Sequence, residues 1–74
     1  MTFSYDKKVG KKIKGFRDAR GWSQEELVAH LQTEGCDITR SALAKIEVGQ
    51  RHIYLQEIKA FKTALQVSYD ELLD

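Results

Sequence analysis

The sequence predicts an all-α domain, a compact bundle of five short helices, and three observations carry that expectation. Proline is absent from all 74 residues. The β-branched residues are scattered and never form the alternating runs that a half-buried strand needs. Apolar residues recur three and four apart instead, and two Ser-x-x-Glu capping boxes, Ser23 with Glu26 and Ser68 with Glu71, mark helix starts. A chain of this length supports one small core and one domain, spanning residues 1–74.

In the first helix, Asp6 is placed as the N-cap, with Val9, Ile13 and Phe16 on one face and Gly21 as the left-handed stop. Gly10 and Gly15 lie inside it, each costing about 1 kcal/mol relative to alanine, which suggests close packing at both. The second helix starts at Ser23, outside which Trp22 and Leu27 can form a hydrophobic staple. It buries Leu27, Val28 and Leu31, runs through Gln32 and stops near Gly35. After the join "CDI", Thr39 caps a third helix that reaches Val48 and is closed by Gly49. A fourth helix turns Leu55, Ile58, Phe61 and Leu65 inward. The fifth begins at the Ser68–Glu71 box, flanked by a Val67–Leu72 staple.

Composition narrows the function. With 42% hydrophobic and 31% charged residues, the chain belongs with folded domains and not with disordered ones. Cys36 alone cannot form an intramolecular disulfide, and it reads as a small loop filler. His30 and His52 are too few for a zinc site, so no metal and no cofactor is expected. There is no apolar run of membrane-spanning length, and the lysine-rich start lacks the apolar stretch of a signal peptide. A cytoplasmic location is the expectation.

Charge is unevenly distributed. Lys7, Lys8, Lys11, Lys12, Lys14, Arg17 and Arg20 oppose only Asp6 and Asp18 in the first twenty residues, a local +5, whereas 21–52 and 53–74 each sum to −2. The basic end can face a polyanion while the acidic end faces away.

The third helix is the most informative. Leu43 and Ile46 set its buried direction, and Ser41, Ala44, Lys45 and Val48 fall on the opposite face, with Arg40 projecting from the first turn. Small residues at Ser41 and Ala44 let a helix backbone lie close against another surface, such as a DNA major groove. There Arg40 and Lys45 can donate to guanine, Ser41 can bond several bases, and the methyl group of Ala44 or Val48 can meet thymine. Glu47 lies near the buried side, where an unpaired carboxylate is costly, so a partner is required; Arg17 is the candidate.

With these residues in place, "GWSQEELVAHL" followed by "ITRSALAKIEVGQR" resembles the helix-turn-helix family of phage Cro and repressor proteins, the XRE type. The resemblance runs from about Val9 to Leu73, with the motif at about 23–49 and the second and third helices as its two arms. It implies phosphate contacts from Gln24, with Ser23 beside it capping the helix, and from Thr39 and Arg51. Base edges would be read by Arg40, Ser41 and Lys45, with Ala44 adding packing, and Arg17 and Glu47 would form the pair tying the first helix to the third. Three features depart from the family: "QTEGCD" makes a longer turn, Tyr54 replaces a Ser or Thr cap, and Gln66 replaces a glycine.

The function these readings imply is sequence-specific binding of double-stranded DNA by a transcriptional regulator, a repressor acting as a homodimer on a pseudo-palindromic operator and associated with the nucleoid through DNA. The fourth and fifth helices, with Phe61, Tyr69, Leu72 and Leu73, are the expected dimer surface, although Leu72 is assigned to the core. An antitoxin or protein-interaction adaptor on the same fold is the alternative, against which Arg40, Lys45 and Arg51 argue together. Enzymatic activity is not expected, since no nucleophile–base set or phosphate-cradling glycine loop is present. Neither a membrane partner nor a small-molecule ligand is expected.

Overall fold

The computed structural model describes residues 4–74, and its helices are α1 (Ser4–Ala19), α2 (Gln24–Thr33), α3 (Arg40–Glu47), α4 (Leu55–Leu65) and α5 (Tyr69–Leu73). Helix α1 packs mainly on α3 and also touches α4 and α5, while α2 packs on α3 and α4. Val9, Ile13, Leu27, Leu31, Leu43, Ile46, Phe61, Leu65 and Leu72 are fully enclosed where these helices meet.

Local chemistry accounts for the helix ends. Ser23 accepts from the Glu26 N–H while the Glu26 carboxylate accepts from the Ser23 N–H, so two orphan donors are satisfied reciprocally. Ser68 and Glu71 repeat this at α5, and Thr39 caps α3 by accepting from the Ala42 N–H. Helices α1 to α4 all close with the same pair of bonds, seen after α1 as Gly21 N–H to Asp18 and Trp22 N–H to Arg17. Gly21, Gly35 and Gly49 supply the required positive φ, but after α4 Gln66 takes that place at φ 56°. A side chain there is strained by about 1 kcal/mol, the physical content of the missing glycine.

Four expectations need correction. Asp6 does not cap α1, which begins at Ser4; it sits in the first turn, buried, and its carboxylate accepts from the Ile53 N–H and the His52 ring. Those groups lie in the loop before α4, where an unpaired N–H would be costly. Leu55 is 71% exposed and not inward, because it lies roughly 120° round α4 from Phe61. Phe61 is fully enclosed and offers nothing to a second copy, while Leu72 lies in the core as expected. Gly15 has open space around it, so close packing explains Gly10 alone.

Gly10 is where α1 crosses α3. A Cβ added there would come within 2.0 Å of the Ile46 carbonyl oxygen, a backbone atom with no room to yield. Gly49 makes a second close approach, at Lys7, so the start of α1 abuts the end of α3.

The two glycines of α1 should therefore respond oppositely to alanine. Gly10→Ala is expected to destabilise by about 3 kcal/mol through overpacking, whereas Gly15→Ala should stabilise by about 0.5–1 kcal/mol through helix propensity. Urea unfolding midpoints of the two variants check this, and a shift of the same sign in both would refute it.

Candidate nucleic-acid interface

Helix α3 divides sharply. Leu43, Ile46 and Glu47 are buried, while Arg40, Ser41, Lys45 and Val48 are exposed and Ala44 is half-buried between them. Ser41, Ala44, Lys45 and Val48 follow the i, i+3, i+4, i+7 spacing of one face. That face carries one cation, one hydroxyl and two apolar groups, and a second cation, Arg40, stands at its N-terminal edge. The mixture suits contact with base edges better than simple solvation.

Behind this face lies the buried carboxylate of Glu47. Its Oε2 accepts from Arg17 Nε at 2.7 Å, and its Oε1 accepts from Arg17 Nη2 at 3.0 Å. Arg17 also donates through Nη1 to the Trp22 carbonyl, so one guanidinium ties the end of α1, the start of α2 and the end of α3. The hydrogen bonds that Arg17 donates to Glu47 raise the guanidinium above its ordinary pKa, outweighing the opposing effect of burial. Among the described residues no buried side-chain nitrogen or oxygen lacks a partner.

Gln24, at the first turn of α2, donates through Nε2 to Glu47 Oε1 at 3.0 Å. Its Oε1 accepts from Arg40 Nη1 at 3.1 Å. Arg17, Glu47, Gln24 and Arg40 thus form one continuous chain of hydrogen bonds from the core to the exposed edge of α3. The sequence suggested the first pair; it gave no sign of the Gln24 links, which join residues 23 and 16 apart in the chain.

Ser23 and Thr39 are exposed, each with its hydroxyl oxygen accepting a cap hydrogen bond. Arg51, half-buried in the loop after α3, makes a bidentate pair with Glu57, both bonds 2.9 Å long, and donates to the His52 carbonyl. Two of its five N–H groups remain outside these bonds. Burial alone would raise the Glu57 carboxyl, but the bonds from Arg51 and the Tyr54 N–H prevail and hold it below its ordinary value. The same carboxylate therefore serves the start of α4, where Tyr54 makes no side-chain cap. Glu57 does have a local signal in the sequence, a glutamate three residues after the cap position Tyr54. The Asp6–His52 bond, across 46 positions, had no such signal.

Lys7, Lys8, Lys11 and Lys14 are exposed along α1, and Lys7 lies against Gly49 beside the Arg51 loop. Exposed cations therefore occur at both ends of α3. No described helix is long and apolar enough to cross a membrane.

The family described as Helix-turn-helix matches residues 13–72. Among solved structures, the chain is similar to the restriction-modification controller protein C.AhdI from Aeromonas hydrophila. The TM-score is 0.78 and sequence identity 33%, with 90% of this chain and 94% of that chain covered. No curated protein matches.

Two ion pairs beneath the face can be separated by experiment. Glu47→Ala strands the Arg17 charge and should cost about 3–5 kcal/mol, enough to unfold much of a small domain, as read by circular dichroism. Glu57→Gln should cost about 1 kcal/mol at neutral pH. Because the folded-state value is depressed, that stabilisation is complete above the ordinary value of 4.5 and disappears as pH falls through the lower one. The gap between wild type and Glu57→Gln should accordingly close in acid; a gap that persists there would contradict the sign of the shift.

Proposed function

Since this chain belongs to the XRE-type helix-turn-helix family of DNA-binding transcriptional regulators, we propose that it binds one operator sequence in double-stranded DNA as a homodimer and represses transcription. The observation that carries the reading is the division of α3, with Leu43, Ile46 and Glu47 held in the core while Arg40, Ser41 and Lys45 stand outside. A helix so presented fits the major groove, where Arg40 and Lys45 donate to guanine, Ser41 bonds a base and Ala44 permits close approach. Ser23, Gln24, Thr39, Arg51 and the lysines of α1 would set register on the phosphates. The two uncommitted N–H groups of Arg51 leave it able to do so without releasing Glu57.

A single small domain offers few contacts, which favours two copies on half-sites about 34–36 Å apart. Apolar groups available for pairing include Tyr5, Leu55 and Leu73, which line one groove with His52, and Tyr69 on α5. The similarity to a restriction-modification controller protein makes restriction-modification genes the first place to look for the operator.

Anisotropy titrations of labelled duplexes at several salt concentrations test the reading. Lys45→Ala should lower discrimination at one base pair by about 1–3 kcal/mol. Arg51→Ala should weaken all sequences alike and reduce the slope of log K against log salt by about 0.9. Absence of DNA binding even at low salt would overturn the assignment.

A further inference from the structure

Asp6 and His52 form a pair that the DNA contacts proposed above leave unused. The Asp6 carboxylate is buried in the first turn of α1, where Oδ1 accepts from the Ile53 N–H and Oδ2 lies 2.8 Å from His52 Nδ1. A carboxylate only accepts, so Nδ1 carries a proton and donates. A neutral imidazole has a single N–H, which leaves Nε2, on the far edge of the ring, as a bare acceptor. Gaining a proton turns Nε2 into a donor while the bond to Asp6 stays in place. His52 is also firmly held: its carbonyl accepts from Arg51 Nη1, its ring is tied to α1, and the next N–H is tied to the same carboxylate. Yet 59% of its side chain is open to water.

We propose that His52 is a further phosphate-binding residue, one that grips the DNA backbone only as imidazolium, so that DNA binding takes up a proton. This rests on the reading of the chain as a DNA-binding protein whose Arg51 loop lies on phosphates. A phosphate oxygen is an acceptor, so it is repelled by a bare Nε2 and bonded by Nε2–H. The surrounding charges give the same sign. On α1, Asp6 is the anion bonded to the ring, Lys7 lies against Gly49 at the start of the same loop, and Tyr5 lines a groove with His52. Within the loop, the Arg51 charge is balanced by Glu57 of α4, and Tyr54 meets the imidazole edge-on with ring centroids 5.4 Å apart. Helix α5 contributes the uncharged Leu73 to the groove. With a neutral imidazole, Asp6 is therefore an anion without a bonded cation; with imidazolium it is paired before a phosphate arrives. Glu57, held below its ordinary carboxyl value, and the Cys36 thiol, pushed up by burial, keep their charge states across the range in which histidine titrates.

The experiment uses the full chain and a duplex selected from a random pool, with anisotropy read at several salt concentrations from about pH 8 down to about pH 5.5. Thermal melts at each pH confirm folding. Wild-type affinity should rise about 10-fold on acidification, and the slope of log K against log salt should steepen by about 0.9 for each protomer. His52→Gln should remove both changes, whereas His30→Gln should keep them, because the His30 ring is stacked on Trp22 and not on the loop. Asp6→Asn gives the sharpest comparison. The Ile53 N–H still claims the side-chain oxygen, so the new NH2 faces Nδ1, which must accept, and the neutral ring then carries its proton on Nε2. That variant should bind at about pH 8 as the wild type does at about pH 5.5 and show little pH dependence. Independently of DNA, the ring nitrogen shifts of the free wild type at about pH 8 should place the proton on Nδ1; a proton on Nε2 overturns the proposal. A pH dependence of affinity and salt slope that survives His52→Gln also overturns it and leaves the DNA-binding reading intact. Loss of pH dependence in His52→Gln, with a wild-type salt slope that never changes with pH, would assign His52 a structural role alone and overturn the phosphate contact. If no duplex is bound at any pH or salt, both readings fail.

Discussion

A carboxylate with almost no access to water sits at the centre of this small domain, and the rest of the structure is arranged to keep it satisfied. Glu47 needs donors on every side because an unmet buried charge costs more than the domain has to spare. Arg17 supplies two and Gln24 a third, which brings the end of α1 and the start of α2 to the end of α3. Gly10 complements this arrangement. Only a residue without a side chain lets α1 come so near the Ile46 carbonyl, one residue before Glu47. Polar pairing and close backbone approach act on the same helix crossing.

The join between α2 and α3 looks different in that light. Its extra length suggests freedom for α3 to tilt, yet its ends are held. Gly35 closes α2 with paired backbone bonds, Ile38 is buried in the core, and Thr39 caps α3. Leu27 and Leu31 meet Leu43 and Ile46 in one core, and the Gln24–Glu47 bond crosses directly between the helices. The placement of α3 therefore follows from side chains that bypass the join, and additional residues in the turn can be accommodated at the surface.

Much of this was legible in the sequence wherever the signal was local or periodic. The capping boxes at Ser23 and Ser68 need only three residues of context, and the spacing of Leu43, Ile46 and Glu47 identifies a buried side that demands a cation. Legibility failed where partners are distant in the chain. Asp6 looks like a helix cap to local rules, but its donors lie in the loop at His52 and Ile53. Gly10 and Gly15 are equivalent until the neighbour of each is known, and that neighbour belongs to another helix in one case and is solvent in the other. Leu55 shows the limit of hydrophobicity itself. An apolar residue within one turn of a buried stripe can still point outward, and among the described residues it joins Tyr5, Val48, Tyr54 and Tyr69 as large exposed apolar groups.

The two arginines beside α3 show how a common chemistry is divided by its surroundings. Arg51 is bound through three N–H groups to Glu57 and a carbonyl, so its charge is balanced locally and its position is fixed by the start of α4. Arg40 shares one bond with a neutral amide, so its charge remains uncompensated and most of its donors are free. A balanced, rigid arginine contributes little long-range attraction but holds a shape; an unbalanced one keeps its full attraction for a polyanion and its forked donors for a planar acceptor. Gln24 is neutral: a carboxylate there would restrain Arg40 more strongly but would cancel the charge and place a second anion beside Glu47. The amide restrains Arg40 without neutralising its charge.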